Sequence, residues 1–360
     1  MVTLPLTHNP SGYKKNLMEG WVLRFKNVLE GIRVTAAVRI SVLVSLCLGA
    51  VASAGPPVLP TFVLEWGLLG VAVGQFDTPY HIAVDQQGNL YVTDSENNRI
   101  QKFNGSGGFM TSWGTLGSGN TEFNIPSGIT VDKDGFVYVG DADNHTIKKF
   151  DANGRFIKRF GEFGSGPGRL YFPIGVAVDA DGYIYVADSW NSRVQKFDAN
   201  GNYVTHFGSH GESSGHFDLP TGILIDQQGR VVVTDTKNHR VQIFDRDGNF
   251  ISMFGRLGDR PGQFNLPYAI AMDPDGNLFV CDSGNDRVQI FDSEGGYLNG
   301  WGSEGVAPGE FDLPWGIAIT QDNNIFIADA KNDRIQKFSA QVVSVRSATW
   351  AQIKRAFVGP

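Results

Sequence analysis

The chain is poor in cysteine, in charge and in long apolar runs. It has two cysteines in 360 residues, Cys47 and Cys281. Cys47 lies in the N-terminal apolar segment, so a mature domain beginning after it holds one thiol and no intramolecular disulfide. Charged residues make up only 19%. The formal net charge is -7, but residues 1–54 hold six basic and two acidic groups, which leaves 24 basic and 35 acidic groups, a balance of -11, in the remainder. An acidic domain is a poor binder of phosphate backbones, so nucleic acid is not an expected partner. The one apolar run, Ile40 to Val51, is short for a bilayer span, which takes about 20 residues. P-loop, Rossmann and HExxH motifs are also missing.

The N-terminus has a basic flank (Lys14, Lys15, Arg24, Lys26, Arg33, Arg39), then the apolar run, then Ala52-Ser53-Ala54. These are the parts of a secretory signal peptide, with cleavage expected after Ala54. The expected location is secreted or periplasmic. The alternative is a membrane anchored by an uncleaved segment, which would be the only part touching lipid.

Glycine is plentiful, at 45 residues, and it is periodic. A shift of 47 residues superposes the sequence on itself five times without an insertion, which marks a repeat architecture. Aspartates recur at Asp94, Asp141, Asp188, Asp235, Asp282 and Asp329, and prolines at Pro79, Pro126, Pro173, Pro220, Pro267 and Pro314. Each unit holds four apolar stretches of strand length separated by Gly-containing turns, which makes one four-stranded propeller blade. The fold class is therefore all-β, a six-bladed propeller over residues 60–340 with repeats beginning near 74, 121, 168, 215, 262 and 309. It follows the 1–54 segment and precedes a 341–360 tail, in which Ser347–Phe357 is predicted as a short helix. The sixth unit lacks its aromatic-Gly ending, and Trp66-Gly67 lies 47 residues before Trp113-Gly114. Phe62–Trp66 is therefore predicted to complete the last blade and remove its free edge. Val342–Val345 is the competing segment.

These units resemble NHL repeats, whose Asn-His-(Leu/Arg) signature stands here as Asn238-His239-Arg240 and in part as Asn144-His145-Thr146. The resemblance implies a six-bladed propeller. It is much less specific for function, because the family includes extracellular sensor domains, RNA- or protein-binding domains and the peptidylglycine amidating lyases.

Arginines follow the aspartates by five residues at Arg99, Arg193, Arg240, Arg287 and Arg334, with Thr146 as the exception. A set present in nearly every blade is read as structural, an Asp–Asn–Arg tie at the turns and between blades. Thr146 is predicted to leave a gap in it. The DxDG turns at Asp132–Gly135, Asp179–Gly182, Asp245–Gly248 and Asp273–Gly276 resemble calcium-loop fragments, but none continues with a glutamate at EF-hand spacing.

Two columns of the repeat vary at the expected ligand face. The first follows the proline and gives Tyr80, His81, Ser127, Thr221, Tyr268 and Trp315 as residues around the channel mouth. The second lies four residues after the aspartate. There alternate blades offer His145, His239 and Asp333, a set of zinc-ligand type. The amidating lyases imply three such histidines, and Asp333 departs from that. No cofactor is expected, with zinc or calcium as the alternative. The sequence reading is a monomeric binding module for a protein or small molecule at the mouth. The alternative is a metal-dependent lyase or hydrolase, with Tyr80, His81 or Tyr268 moving a proton.

Overall fold

A computed structural model describes residues 59–339. The signal segment, the Val342–Val345 competitor and the predicted tail helix lie outside them. The first full blade is built from β2 (Pro79–Val84), β3 (Leu90–Asp94), β4 (Arg99–Phe103) and β5 (Phe109–Trp113), in that spatial order and antiparallel. Five four-stranded sheets repeat this order. The sixth sheet joins Pro314–Ile319, Asn324–Asp329 and Arg334–Ser339 to β1 (Thr61–Trp66) from the far end of the chain. Thr61 pairs with Ser339 and Trp66 with Ile335, so the predicted strand does close the ring. Among the described residues the helical pieces are four single 3-10 turns.

Two apolar layers hold neighbouring blades together. The phenylalanine of each third strand, such as Phe103, meets the last aromatic of the preceding blade. Ring centroids are 5.7 Å apart for Trp66–Phe103, 5.9 Å for Trp113–Phe150 and 4.8 Å for Phe207–Phe244. Each such pair adds about 0.5–1.5 kcal/mol beyond its burial. The closing strand makes the same contact as the rest, so the seam is packed as well as hydrogen-bonded. Beneath each inter-blade connection sits a fully buried apolar residue, Phe76, Phe123, Leu170, Phe217, Phe264 or Phe311. The glycine that opens the connection is required there. Gly67 has φ +106, and a Cβ on it would lie 2.6 Å from the Phe76 ring.

The repeated aspartates are buried ties between a turn and a connection. Asp94 Oδ1 accepts from the Asp77 N–H (2.8 Å), and Oδ2 accepts from Arg99 Nε (2.6 Å) and Gln101 Nε2 (3.0 Å). The Arg99 guanidinium then donates to the carbonyls of Val71, Ala72 and Gln75. The same pattern holds at Asp188–Arg193, Asp235–Arg240, Asp282–Arg287 and Asp329–Arg334, with Arg Nε 2.7 Å from the carboxylate each time.

Blade 2 departs from this pattern, and the gap predicted at Thr146 is filled. Lys148, where other blades carry glutamine, is fully buried. Its ammonium lies 2.6 Å from Asp141 Oδ2 and donates to the carbonyls of Gly119 and Glu122. Those carbonyls are the blade-2 equivalents of Ala72 and Gln75, so one lysine takes most of the roles of an arginine and a glutamine. Arg159, from the outer strand, donates to Ser118 O at 3.0 Å, the counterpart of Arg99 to Val71. Only the Thr146 hydroxyl is left buried without a partner.

Candidate functional site

The inter-blade connections and the turns between second and third strands form one face of the ring, called here the upper face. Each of those turns ends on a residue in the left-handed region: Asn98 (φ 54), His145 (58), Ser192 (52), His239 (54), Asp286 (52) and Asp333 (51). Asn, Asp and His tolerate that conformation better than most residues. Their side chains accept a backbone N–H from the next blade. Ile125 donates to Asn98 Oδ1 (3.1 Å), Phe172 to His145 Nδ1 (3.3 Å), Leu266 to His239 Nδ1 (3.0 Å), Leu313 to Asp286 Oδ1 (2.8 Å) and Thr78 to Asp333 Oδ1 (2.8 Å). The structure therefore spreads His145, His239 and Asp333 around the ring as links between blades and does not bring them together. No group of three His, Cys, Asp or Glu side chains among the described residues is close enough to share a metal ion. Burial lowers the His239 pKa and raises those of Asp286 and Asp333.

The DxDG turns lie on the opposite face and use their first carboxylate locally. Asp132 Oδ1 accepts the N–H groups of Asp134 (3.0 Å) and Phe136 (2.9 Å), and the other DxDG turns repeat this. A cleft of about 390 Å³ also opens there, between Asp85–Gly88 of blade 1 and Ile319–Asp322 of blade 6. Gly211–Gly215 spells Gly-x-Ser-x-Gly, but it lies in an inter-blade connection and not on the strand-to-helix turn that exposes a nucleophile.

The column after the proline divides by blade. Ser127 and Thr221 are buried at 1% exposure. Their hydroxyls donate to the next blade's inner strand, at Pro173 O (2.8 Å) and Tyr268 O (3.0 Å) respectively. The glycine that follows them is there for close approach. A Cβ on Gly128 would sit 1.9 Å from Ile174 O, inside any permitted contact. Blades 5, 6 and 1 instead send three rings to the axis. Tyr80 and Tyr268 join hydroxyls at 2.6 Å, and Trp315 lies 5.0 Å from Tyr80 and 5.6 Å from Tyr268, centroid to centroid. Burial pushes both phenols above their ordinary range, and the tyrosine neighbour pushes Tyr80 further. His81, the next residue on the Tyr80 strand, turns toward blade 2, with Nδ1 shut off from solvent and unpartnered. Burial lowers its pKa to about 4, offset in part by a backbone hydrogen bond to Ile129. The sequence-derived mouth residues thus separate into an axial aromatic group, Tyr80, Tyr268 and Trp315, and three residues turned into the blade interfaces, His81, Ser127 and Thr221.

A second aromatic group stands on the same face, on blade 3. Tyr171 packs against Phe163 (5.1 Å), His145 (5.5 Å) and Trp190 (4.9 Å), and Phe172 lies 5.3 Å from Trp190. Phe163 is 59% exposed and Trp190 55%. The repeat supplies the control. At the Tyr171 position the other blades carry Asp77, Asn124, Asp218, Asn265 and Asp312, and at the Trp190 position Glu96, Asp143, Lys237, Gly284 and Lys331. Two columns that are polar or glycine elsewhere are aromatic only here.

The NHL-repeat family model matches six times, at residues 76–103, 123–150, 170–197, 217–244, 264–291 and 311–338, one match per blade. The chain is an NHL-repeat propeller. The search of curated proteins found no match. A streptogramin B lyase structure superposes with a TM-score of 0.57 at 15% identity, covering 78% of this chain and 98% of that one. Virginiamycin B lyase from Staphylococcus aureus gives 0.56 at 17%, covering 77% and 98%. A gluconolactonase from Xanthomonas campestris gives 0.55 at 17%, covering 80% and 99%. At these identities the likeness is one of fold.

Within this NHL propeller the blade-3 aromatics lie outside the two columns that the sequence analysis compared. Tyr171 is two residues before the proline and Trp190 two after the aspartate. The signal was the same break in periodicity, in neighbouring columns.

Proposed function

We propose that the protein is an extracytoplasmic binding module, monomeric and without a resident cofactor, that takes a protein or small-molecule ligand on its upper face around the channel mouth. The observation that carries this reading is the concentration of aromatic side chains on that face, at the mouth where other blades place serine, isoleucine or threonine and on blade 3 where they place polar residues or glycine. Aromatic surface supplies contact area at little cost in side-chain freedom. The polar groups of the same face support it too. His145, His239 and Asp333 are engaged with backbone N–H groups, and the Tyr80 and Tyr268 hydroxyls with each other. The basic, apolar and Ala-x-Ala segments before residue 55 support export.

The lyase or hydrolase reading is the alternative, favoured by His81, which keeps an unpartnered ring nitrogen and follows Tyr80 on the same inner strand. Incubation of the full-length protein with virginiamycin B and with gluconolactone, with and without added divalent metal, decides between them. The binding reading expects no turnover, together with a ligand-induced rise in Tm that Trp315→Ala removes. Turnover that disappears in His81→Ala would replace it with the enzyme reading.

A further inference from the structure

The blade-3 platform points to a particular partner chemistry, in an inference that rests on the upper face being the binding face. Its rings touch one another at 4.9–5.5 Å, so they form a packed open surface and not a cage or a cleft. Small molecules are held in concave sites that bury most of their surface. An open platform suits an extended segment of a larger partner.

The polar groups beside the platform narrow the choice. A sugar-binding platform needs directional hydrogen-bonding groups next to its rings, and the amides that flank these rings are engaged. Asn191 Nδ2 donates to Gly164 O and to Asp188, Asn144 Nδ2 to Gly117 O and to Asp141, and His145 Nδ1 accepts from Phe172. What remains is ring faces, with the Tyr171 hydroxyl and the Trp190 indole N–H at their edges, and charge. Asp143 shares its turn with His145, is exposed, and has a carboxylate with no partner among the described residues. Acidic residues outnumber basic ones by more than two to one across the connections and turns of the face. Ring faces attract cations through their quadrupole, best with Trp and best for the planar guanidinium. Acidic surroundings steer a cationic partner to them.

We propose that Phe163, Tyr171, Phe172 and Trp190, with Asp143, dock an arginine-bearing basic segment of a partner protein. The test uses full-length protein and a short arginine–glycine peptide, its citrulline analogue of the same shape without charge, and maltotetraose as a neutral sugar. Binding is followed by Trp fluorescence and calorimetry. The variant is Tyr171→Asp/Trp190→Lys, which installs the pair that blade 4 carries as Asp218 and Lys237 and so keeps a combination this fold accepts. The arginine peptide is expected to bind with Kd below about 1 mM. Citrulline and the double variant should each weaken it about tenfold, and Asp143→Asn about threefold with a shallower salt dependence. Equal binding of the citrulline peptide, undiminished binding by the double variant, no binding of the arginine peptide, or binding of maltotetraose in its place would each overturn the inference. Binding that depends on Trp315 and not on blade 3 would overturn it too, while leaving the binding-module reading intact. Loss of that reading would instead show as lactone or virginiamycin B turnover dependent on His81.

Discussion

Blades 2 and 3 both depart from the repeat, but in opposite ways. In blade 2 the departure is internal. An arginine and a glutamine become Thr146 and Lys148, and the lysine, with Arg159, supplies a donor to each of the four acceptors the pair would have used, though not the acceptor that a glutamine Oε1 offers the connection in the other blades. In blade 3 the departure is external: Tyr171 and Trp190 pack on each other and on Phe163 and Phe172 at the surface, and restore no hydrogen bond of the repeat. A buried change must be answered, because an unpaired buried charge costs several kcal/mol. An exposed one need not be, and an aromatic residue retained in water costs solubility without adding much stability. Compensation thus separates changes that keep the fold from changes that give it a site.

The largest effect should come from breaking the compensation. Lys148→Gln leaves Asp141 buried without a cation and should cost about 3–5 kcal/mol in denaturant-induced unfolding. Adding Thr146→Arg, which restores the pattern of the other blades, should recover most of it. If the double variant is as weak as the single one, the two positions do not compensate.

His81, in blade 1 and facing blade 2, departs without compensation and is only partly exposed. Folding lowers its pKa from the ordinary 6.5 to about 4, so the unfolded chain takes the proton first. Stability should fall as pH drops from about 6.5 to about 4, by up to about 3 kcal/mol. His81→Ala, with the residue blade 5 has at this place, should flatten that part of the profile. An unchanged profile would mean that the imidazole is not held neutral.

The junction of blades 2 and 3 should matter less. His145→Ala removes the acceptor for the Phe172 N–H and should cost about 1 kcal/mol. His145→Asn, the blade-1 residue, should cost less than half as much. Smallest of all, Tyr171→Asp/Trp190→Lys should change stability by no more than about 0.5 kcal/mol. A large loss would make the platform a structural element and erase the contrast between the blades.

The fold was legible because the period carries no insertion, so each blade checks the others and the missing outer strand shows where the ring is fastened. The Thr146 gap was legible for the same reason. Its filling was not, since Lys148 sits in a different column on the same strand. The second variable column suggested metal ligands because Asn, His and Asp recur there. The structure shows a simpler requirement, a residue that tolerates positive φ and can accept an N–H from the next blade, which the same three types meet. The column after the proline mixed two demands. Directly after it Tyr80, Tyr268 and Trp315 fill the axis, and one position later Gly128 and Gly222 yield to a neighbour's carbonyl. Spacing alone does not separate a residue kept small for backbone from one kept small for a ligand.

The pairing of Thr61–Trp66 with Arg334–Ser339 also sets the order of events during synthesis. Of the propeller strands, the outer strand of the last blade leaves the ribosome first and waits for a partner made about 270 residues later, roughly a quarter of a minute to a minute at ordinary elongation rates. Throughout that interval the nascent chain carries an unpaired edge at its leading end. Moving the strand behind Ser339 would let the last blade be completed from neighbouring sequence and shorten that exposure without altering a contact in the finished ring.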